Sequence, residues 1–279
     1  MTQTTAGTTP AVAPSRSPGV AFGFCVSHAP QIFLRPKEED PAEIERVHAG
    51  YRLVAARAAE HEVDALCIVA LDHLHNHFLN LVPQFTVFTG SPVVAQFNAV
   101  RVECAADVGL ANGLIDSLLD QDFDPAFSQS EVLDHSFFIP LHDMAPILGP
   151  TPVIPIVINA YVPPQPSIDR CFRLGRAIAR WATGRGQRVG IVATGGMSHY
   201  PGTDQFHHPN VTADHDVLEW LAAGDVARLV SLDAGSLDRM GMVEMRTWAV
   251  ALGARGEGAR ATTHSYWDSG HCGYAVVEF

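Results

Sequence analysis

The sequence lacks the features that mark secreted, membrane-spanning and nucleic-acid-binding proteins. Its five cysteines are odd in number, far apart and never paired as C-x-x-C, which argues against a disulfide framework or a thiolate zinc knuckle. No run of about 18 apolar residues occurs, so no membrane span is expected. The net charge of −12 and the lack of any Lys/Arg block disfavour nucleic acid and anionic membranes as partners. A small-molecule partner and a reducing, cytoplasmic compartment are therefore expected.

The chain also lacks an obvious internal boundary. Residues 1–18 are rich in Thr, Ala and Pro without the apolar core of a signal peptide, and they predict a disordered leader. No repeat and no linker divides the rest, so residues 19–279 are expected to form one catalytic domain.

Four short apolar runs rich in Val and Ile predict strands that are covered on both faces. They lie at residues 19–27, 63–71, 151–161 and 187–195. Helix-like segments at 40–61 and 166–184 alternate with them, and further strands are expected within 81–104 and 272–279. The pattern predicts a single layered α/β domain with a mixed, largely parallel central sheet flanked by helices. Its functional site is expected at the carboxyl ends of the strands.

Three of these runs are followed by histidine. His28 follows the first run, His73 the second and His199 the last, within the segments SHAP, LDHLHNH and TGGMSHYPG. Imidazole is both the commonest metal ligand and the general acid or base that titrates near neutrality. Histidines delivered by three strand ends therefore indicate a shared site. His135, in an expected loop with the sequence LDHSFFIPLHD, is a fourth candidate.

The LDHLHNH segment contains three histidines at alternating positions, and these need to be distinguished. A strand that continued to His77 would point all three toward one face. Asn76 favours a turn instead, and a strand that ends near Asp72 would leave only His73 at the edge of the sheet. We therefore expect His73 at the site, with His75 and His77 as alternatives.

A carboxylate is needed to complete the ligand set that non-haem Fe(II) prefers, two histidines and one carboxylate on one face of an octahedron. Glu244 is a candidate, since it is expected in the first turn of a helix-like, otherwise apolar segment at 241–254. A favourable interaction with the helix dipole would also explain an acidic residue there. The spacing alone leaves both interpretations open.

Five segments in order resemble the class III extradiol dioxygenases of the protocatechuate 4,5-dioxygenase catalytic subunit type. They are SHAP, DHLHNHFLNLVPQF, DHSFFIPL, GGMSHYPG and VEMRTWAVALGA, and the resemblance extends from about residue 21 to residue 279. It implies an enzyme that inserts both atoms of O2 and opens a catecholic, aminophenol or hydroxypyridine-type ring next to its vicinal hydroxyls.

The resemblance also implies roles for individual residues. His28, His73 and Glu244 would bind Fe(II), and His199 and His135 would act as acid/base residues. A contribution to substrate binding is expected from three further residues, Asp72, Asp134 and Tyr200. Two other roles stay open for Asp72 and Asp134. Each could orient the histidine that follows it, or each could be an ordinary cap or turn residue.

The expected partners are a small aromatic substrate and O2. The resemblance implies self-association into homo-oligomers, and some members of the family use a separate small subunit as a lid.

Two alternatives stay open, a zinc-dependent hydrolase with an activated water and a non-catalytic binding relative. The pair of non-ligand histidines, His135 and His199, distinguishes the dioxygenase from the hydrolase, and the presence of residues at all five site positions disfavours the binding relative. The segment at 199–208 either lines the pocket or forms a surface loop, and His264 and His271 are left without a role.

Overall fold

The strands follow the apolar runs of the sequence. The computed structural model describes residues 17–279, so the predicted leader lies outside the described residues except for its last two. The strands are β1 (Gly19–Val26), β2 (Ala65–Ala70), β3 (Phe85–Phe88), β4 (Val93–Phe97), β5 (Val100–Cys104), β6 (Ala126–Ser128), β7 (Val153–Ile158), β8 (Arg188–Thr194), β9 (Thr262–Asp268) and β10 (Gly273–Glu278). The four predicted runs become β1, β2, β7 and β8, each shorter than its run.

Helices occupy most of the connections between these strands. They are α1 (Pro30–Leu34), α2 (Pro41–Glu60), α3 (Val108–Leu119), α4 (His135–Leu148), α5 (Ile168–Gly184), α6 (Val211–Ala223), α7 (Val226–Val230), α8 (Ala234–Met240) and α9 (Met245–Arg255). Asp40 and Ser167 cap the two predicted helices, α2 and α5, by accepting hydrogen bonds from backbone N–H groups of the first turn. Between residues 17 and 279, no helix combines the length and the apolar character that crossing a membrane requires.

The central sheet is mixed and largely parallel, as predicted. Its strand order is β6-β3-β7-β2-β8-β1-β10-β9, and β7, β2, β8 and β1 run parallel to one another. β3 and β10 are antiparallel to their inner neighbours β7 and β1. The expected strands within 81–104 divide between two sheets, because β4 and β5 form a separate hairpin.

Helices cover both faces of the sheet. In β2, Ala65, Cys67 and Val69 face a core shared with α3, α5 and α9, whereas Leu66, Ile68 and Ala70 face a core shared with α2 and α4. This alternation is the period of two that a strand imposes on its side chains. Since both faces are buried, the parallel strands leave their carboxyl ends as the accessible part of the sheet, and the site lies there.

One expected loop is a helix in the structure. His135 is the first residue of α4, and the side chain of Asp134 caps this helix by accepting a hydrogen bond from the Ser136 N–H at 2.9 Å. Pro140 and Pro146 lie inside the helix and weaken its signal in the sequence, because proline ordinarily interrupts a helix.

Helices α5 and α9 cross at two glycines. A Cβ atom on Gly175 would lie 2.0 Å from the Val250 carbonyl oxygen, and one on Gly253 would lie 1.9 Å from the Phe172 carbonyl oxygen. Only glycine permits backbones to approach this closely. The crossing helps to fix α9 beside β8, and Glu244 lies at the N-cap position of α9, one residue before the helix and not in its first turn as predicted.

Candidate active site

The carboxyl ends of the parallel strands open into a cavity of about 450 Å³. Five histidines line it, His28, His73, His135, His199 and His271. His28 follows β1, His73 follows β2 and His199 follows β8, so the three strand-end histidines predicted from the sequence meet at one place. His135 reaches the cavity from the start of α4.

Three of the imidazoles form a tight cluster. His28, His73 and His135 each have a ring nitrogen within 4.8 Å of those of the other two. The rings of His73 and His135 stack with their centroids 4.1 Å apart, and the ring of His28 meets both nearly edge-on. His75 and His77 do not line the cavity, and Nε2 of His77 lies 3.8 Å from the Glu131 carboxylate instead.

The carboxylate of Glu244 lies beneath the imidazoles and is only 1% exposed. Its oxygens are 3.6 Å from Nε2 of His28, 3.8 Å from Nε2 of His73 and 3.3 Å from Nε2 of His199. Burial alone would raise the pKa of Glu244, but His28 and His199 outweigh it and hold that pKa well below its usual value. The Gly196 N–H also donates to the carboxylate at 2.6 Å.

The three histidines around Glu244 are oriented by hydrogen bonds at Nδ1. Nδ1 of His73 donates to the Asp134 carboxylate at 2.8 Å, and Nδ1 of His199 donates to the Met197 carbonyl at 2.9 Å. Nδ1 of His28 lies 3.0 Å from the Thr194 hydroxyl, whose own proton goes to the Ser136 carbonyl, so Nδ1 of His28 is the donor. Each ring therefore turns Nε2 toward the centre of the cluster, where it can offer a lone pair once it is unprotonated, an arrangement typical of metal-binding histidines.

The charge distribution distinguishes His73 from His135. Burial would lower the pKa of His73, but the carboxylates of Asp134 and Glu244 raise it to about 10. Burial and the neighbouring charge of His73 lower the pKa of His135 to about 3. The position of His73 thus favours a positive charge, from a proton or a metal cation, whereas His135 stays neutral at physiological pH.

Tyr161 belongs to the site but was not predicted from the sequence. Its hydroxyl donates a hydrogen bond to Glu244 Oε1 and lies 3.2 Å from Nε2 of His199. A signal for it was present, because Tyr161 ends the apolar run at 151–161 and so follows β7 as the histidines follow the other strands.

The residues expected to bind substrate have other contacts. Tyr200 does not line the cavity, and its hydroxyl donates to the Arg239 carbonyl at 2.8 Å. Asp72 lies at the cavity, but its carboxylate accepts hydrogen bonds from the backbone of residues 75–77, at 2.9 to 3.0 Å, and holds their turn. Asp134 orients His73. Besides His199, two residues of the segment 199–208, Pro201 and Phe206, do line the cavity.

The fold is shared with a solved structure. The crystal structure of an uncharacterized protein from Escherichia coli K12 superimposes with a TM-score of 0.66, covering 92% of this chain and 99% of that one. The two sequences are 14% identical, so this likeness concerns the fold alone.

Curated relatives are named as 2,3-dihydroxyphenylpropionate/2,3-dihydroxicinnamic acid 1,2-dioxygenases. The one from Paraburkholderia xenovorans (strain LB400) is 32% identical over 201 residues, and the one from Paraburkholderia phymatum is 33% identical over 203 residues. Each alignment covers 72% of this chain and 61% of the relative, so the chain matches about three fifths of their length.

The family model named catalytic LigB subunit of aromatic ring-opening dioxygenase matches residues 22–278, nearly all of the chain that the structure describes. This family implies a metal cofactor, and the histidine cluster lies within the matched region. The chain therefore belongs to the family of catalytic LigB subunits of aromatic ring-opening dioxygenases.

Proposed function

We propose that this chain is an extradiol ring-cleaving dioxygenase that uses non-haem Fe(II) and O2 to open a catecholic aromatic ring. Aminophenol-type and hydroxypyridine-type rings are included in the proposed substrate class. The observation that carries the proposal is the buried carboxylate of Glu244 beneath the Nε2 atoms of His28, His73 and His199.

The residues present fit a metal cofactor. The imidazoles of His28 and His73 and the carboxylate of Glu244 come from the ends of β1 and β2 and the start of α9, and they meet at one place. The hydrogen bonds at Nδ1 leave Nε2 of each histidine free to act as a ligand. We assign His28, His73 and Glu244 as the metal ligands, the set that suits Fe(II) with open positions for small molecules. When bound, iron would supply the oxygen chemistry that amino-acid side chains cannot.

Protons are the part of the reaction that the protein supplies. A catechol must lose protons to bind iron through both oxygens, and we assign His135, whose imidazole lines the cavity and stacks on His73, as a second acid/base residue there. His199 is suited to hold and return a proton, because Glu244 and the Met197 carbonyl raise its pKa against the effect of burial. When His199 carries that proton, its Nε2–H can donate to the hydroxyl oxygen of Tyr161, whose own proton goes to Glu244.

A zinc-dependent hydrolase is the second candidate. The three clustered imidazoles of His28, His73 and His135 resemble a three-histidine zinc site with a bound water. In that case His135 would be a ligand and Glu244 would be free to act on the water.

The test is anaerobic purification with Fe(II), followed by oxygen-electrode and absorbance measurements on catechols, gallate, aminophenols and dihydroxypyridines. We expect one O2 consumed per ring opened, with a yellow product. Bound zinc in place of iron, with no oxygen uptake on any substrate, would contradict the dioxygenase and favour the hydrolase.

A further inference from the structure

The outer part of the cavity differs in chemistry from the histidine cluster. Five residues, Ala29, Pro30, Leu74, Pro201 and Phe206, form what we call the apolar wall. None of them is fully buried, and Leu74 is 42% exposed, so the wall lies toward solvent. A cavity of about 450 Å³ lies within the range of roughly 300–1,000 Å³ for small-molecule pockets. It has room for a ring and for a substituent that extends along the wall.

No cation accompanies the apolar wall. Among the cavity-lining residues of the described chain, none is Lys or Arg. Asp72, two residues before Leu74, lines the cavity, is negative and already accepts hydrogen bonds from three backbone N–H groups. The whole chain carries a net charge of −12, which adds to the repulsion of an anion.

His271 does not provide the missing cation. Its Nδ1 lies 3.0 Å from the Ser269 hydroxyl and 3.6 Å from the Glu39 carboxylate, and its Nε2 lies 3.1 Å from the Tyr274 hydroxyl. Both nitrogens are therefore engaged on the side of the ring away from a substrate, and a charge on the ring would be paired with Glu39. Burial lowers the pKa of His271, which keeps the ring neutral. Phe206 stacks on this ring with the centroids 5.4 Å apart. His271 and Phe206 together therefore present flat rings, and not a charge, to the cavity.

We infer that the substrate of this chain carries an uncharged, apolar substituent on its dihydroxylated ring. This inference rests on the proposed function and narrows its substrate class. An apolar substituent gains stability against the wall in proportion to the area it buries. A carboxylate at the same place would lose water without gaining a cationic partner, which is costly. The curated relatives are named for acids, so the inference separates this chain from them.

The experiment compares substituents of similar size that differ in charge. The iron-loaded full chain is given 2,3-dihydroxyphenylpropionate, its methyl ester and 3-propylcatechol, and kcat/KM is measured for each. Dissociation constants are measured anaerobically by calorimetry, so that binding is known apart from turnover. We expect both neutral compounds to exceed the acid by about tenfold or more in both measurements.

A cation placed in the apolar wall should change this preference. Leu74→Arg is expected to raise kcat/KM for the acid, and to tighten its binding, by about tenfold relative to the neutral pair. Leu79→Arg is the matched control, because Leu79 is in the same loop, is 75% exposed and does not line the cavity. This control adds the same charge and is expected to leave the preference unchanged.

The outcomes separate the inference from the proposed function. Equal or better use and binding of the acid would overturn the inference while leaving ring cleavage established. Cleavage of none of the three compounds and of no member of the oxygen-uptake panel would overturn the proposed function, and the anaerobic dissociation constants would still decide the inference. Failure of all three to bind at millimolar concentration would overturn the inference, and the oxygen-uptake panel would still decide the proposed function.

Discussion

Asp134 Oδ2 accepts two hydrogen bonds from His73, one from its backbone N–H at 2.9 Å and one from Nδ1 at 2.8 Å. The other oxygen, Oδ1, accepts the Ser136 N–H and caps α4. One carboxylate therefore fixes both the ring of His73 and the start of the helix that carries His135. The relative position of the two stacked imidazoles depends on it.

Asp134→Asn tests this relationship. The amide retains a capping oxygen, so α4 should stay folded, but the charge that holds Nδ1–H of His73 is lost. We expect iron affinity to fall by about 10-fold to 100-fold, the usual effect of losing such a partner. Chelator competition measures the affinity and circular dichroism measures the fold. Asp107→Asn, at the N-cap of α3, is the control for capping alone. Unchanged affinity in Asp134→Asn would contradict the role.

Glu244→Gln tests the carboxylate ligand. The substitution keeps the size of the side chain and removes its charge, so we expect the purified variant to hold much less than one iron per chain and to lose activity with it. Glu39→Gln is the matched control, because Glu39 is also buried and carboxylic but does not line the cavity. Metal analysis of both variants decides the assignment, and stoichiometric iron in Glu244→Gln would refute it.

His199→Ala separates a proton-transfer role from a ligand role. As an acid/base residue, His199 should be dispensable for the metal, so iron content stays near that of the wild type. Ring cleavage is expected to slow by about 10²-fold to 10⁴-fold, the usual contribution of such a group. Steady-state oxygen uptake and metal analysis on the same preparation give both numbers. Loss of iron would make His199 a ligand instead.

Tyr161→Phe removes the hydroxyl that contacts His199 and Glu244. A hydrogen bond to a charged group contributes about 1.5–3 kcal/mol, so we expect kcat to fall by about 10-fold to 100-fold with the fold intact. Tyr200→Phe removes a hydroxyl that donates to a backbone carbonyl outside the cavity, and its kcat should stay within about twofold of the wild type. Equal effects of the two substitutions would remove Tyr161 from the active site.

The ionised carboxylate of Glu278 makes the free energy of unfolding depend on pH. Arg57 Nε donates to one of its oxygens at 2.8 Å, and His264 Nε2 lies 2.8 Å from the other. Burial would raise the pKa of Glu278, but these partners lower it overall. The stabilisation is therefore present above the unfolded pKa of about 4.3 and is lost as pH falls through the lower folded pKa.

We expect Glu278→Gln to lower the free energy of unfolding by about 1 kcal/mol at pH 7, since the ion pair is partly exposed. The difference from the wild type should shrink on acidification toward about pH 3. Urea unfolding at several pH values measures it. Glu257→Gln, which removes an exposed partner of Arg176, should have little effect at either pH. A difference that grows on acidification would contradict the assignment.

The sequence predicts the central part of the fold well because parallel strands that are buried on both faces have continuous apolar sequences. In such a Val/Ile run, alternate side chains pack into the cores on the two faces of the sheet, and the residue after the run lies at the accessible edge. This is why His28, His73 and His199 could be expected together before any coordinates. The same rule applied to the run that ends at Tyr161 includes that residue, but a tyrosine at the end of an apolar run is ordinarily a packing residue, and the sequence carries no further sign of its role.

Other parts of the site depend on contacts that no local pattern reveals. Asp134 and His73 are 61 positions apart, and only the docking of α4 against β2 brings them together. The helix starting at His135 is obscured by its two prolines, and the hydrogen bond that turns Tyr200 toward the Arg239 carbonyl is a tertiary contact. Helix ends are also poorly marked, so Glu244 lies one residue outside the helix in which it was expected.

The crossing of α5 and α9 at Gly175 and Gly253 makes the active site vulnerable at a distance. At both positions an added methyl group would meet a backbone oxygen, and no flexible side chain is there to move aside. Relief would have to come from a shift of α9 as a whole, and Glu244 lies at the start of that helix. A survey of inactivating mutations should therefore find alanine at these two glycines among the most damaging changes, although neither residue lines the cavity.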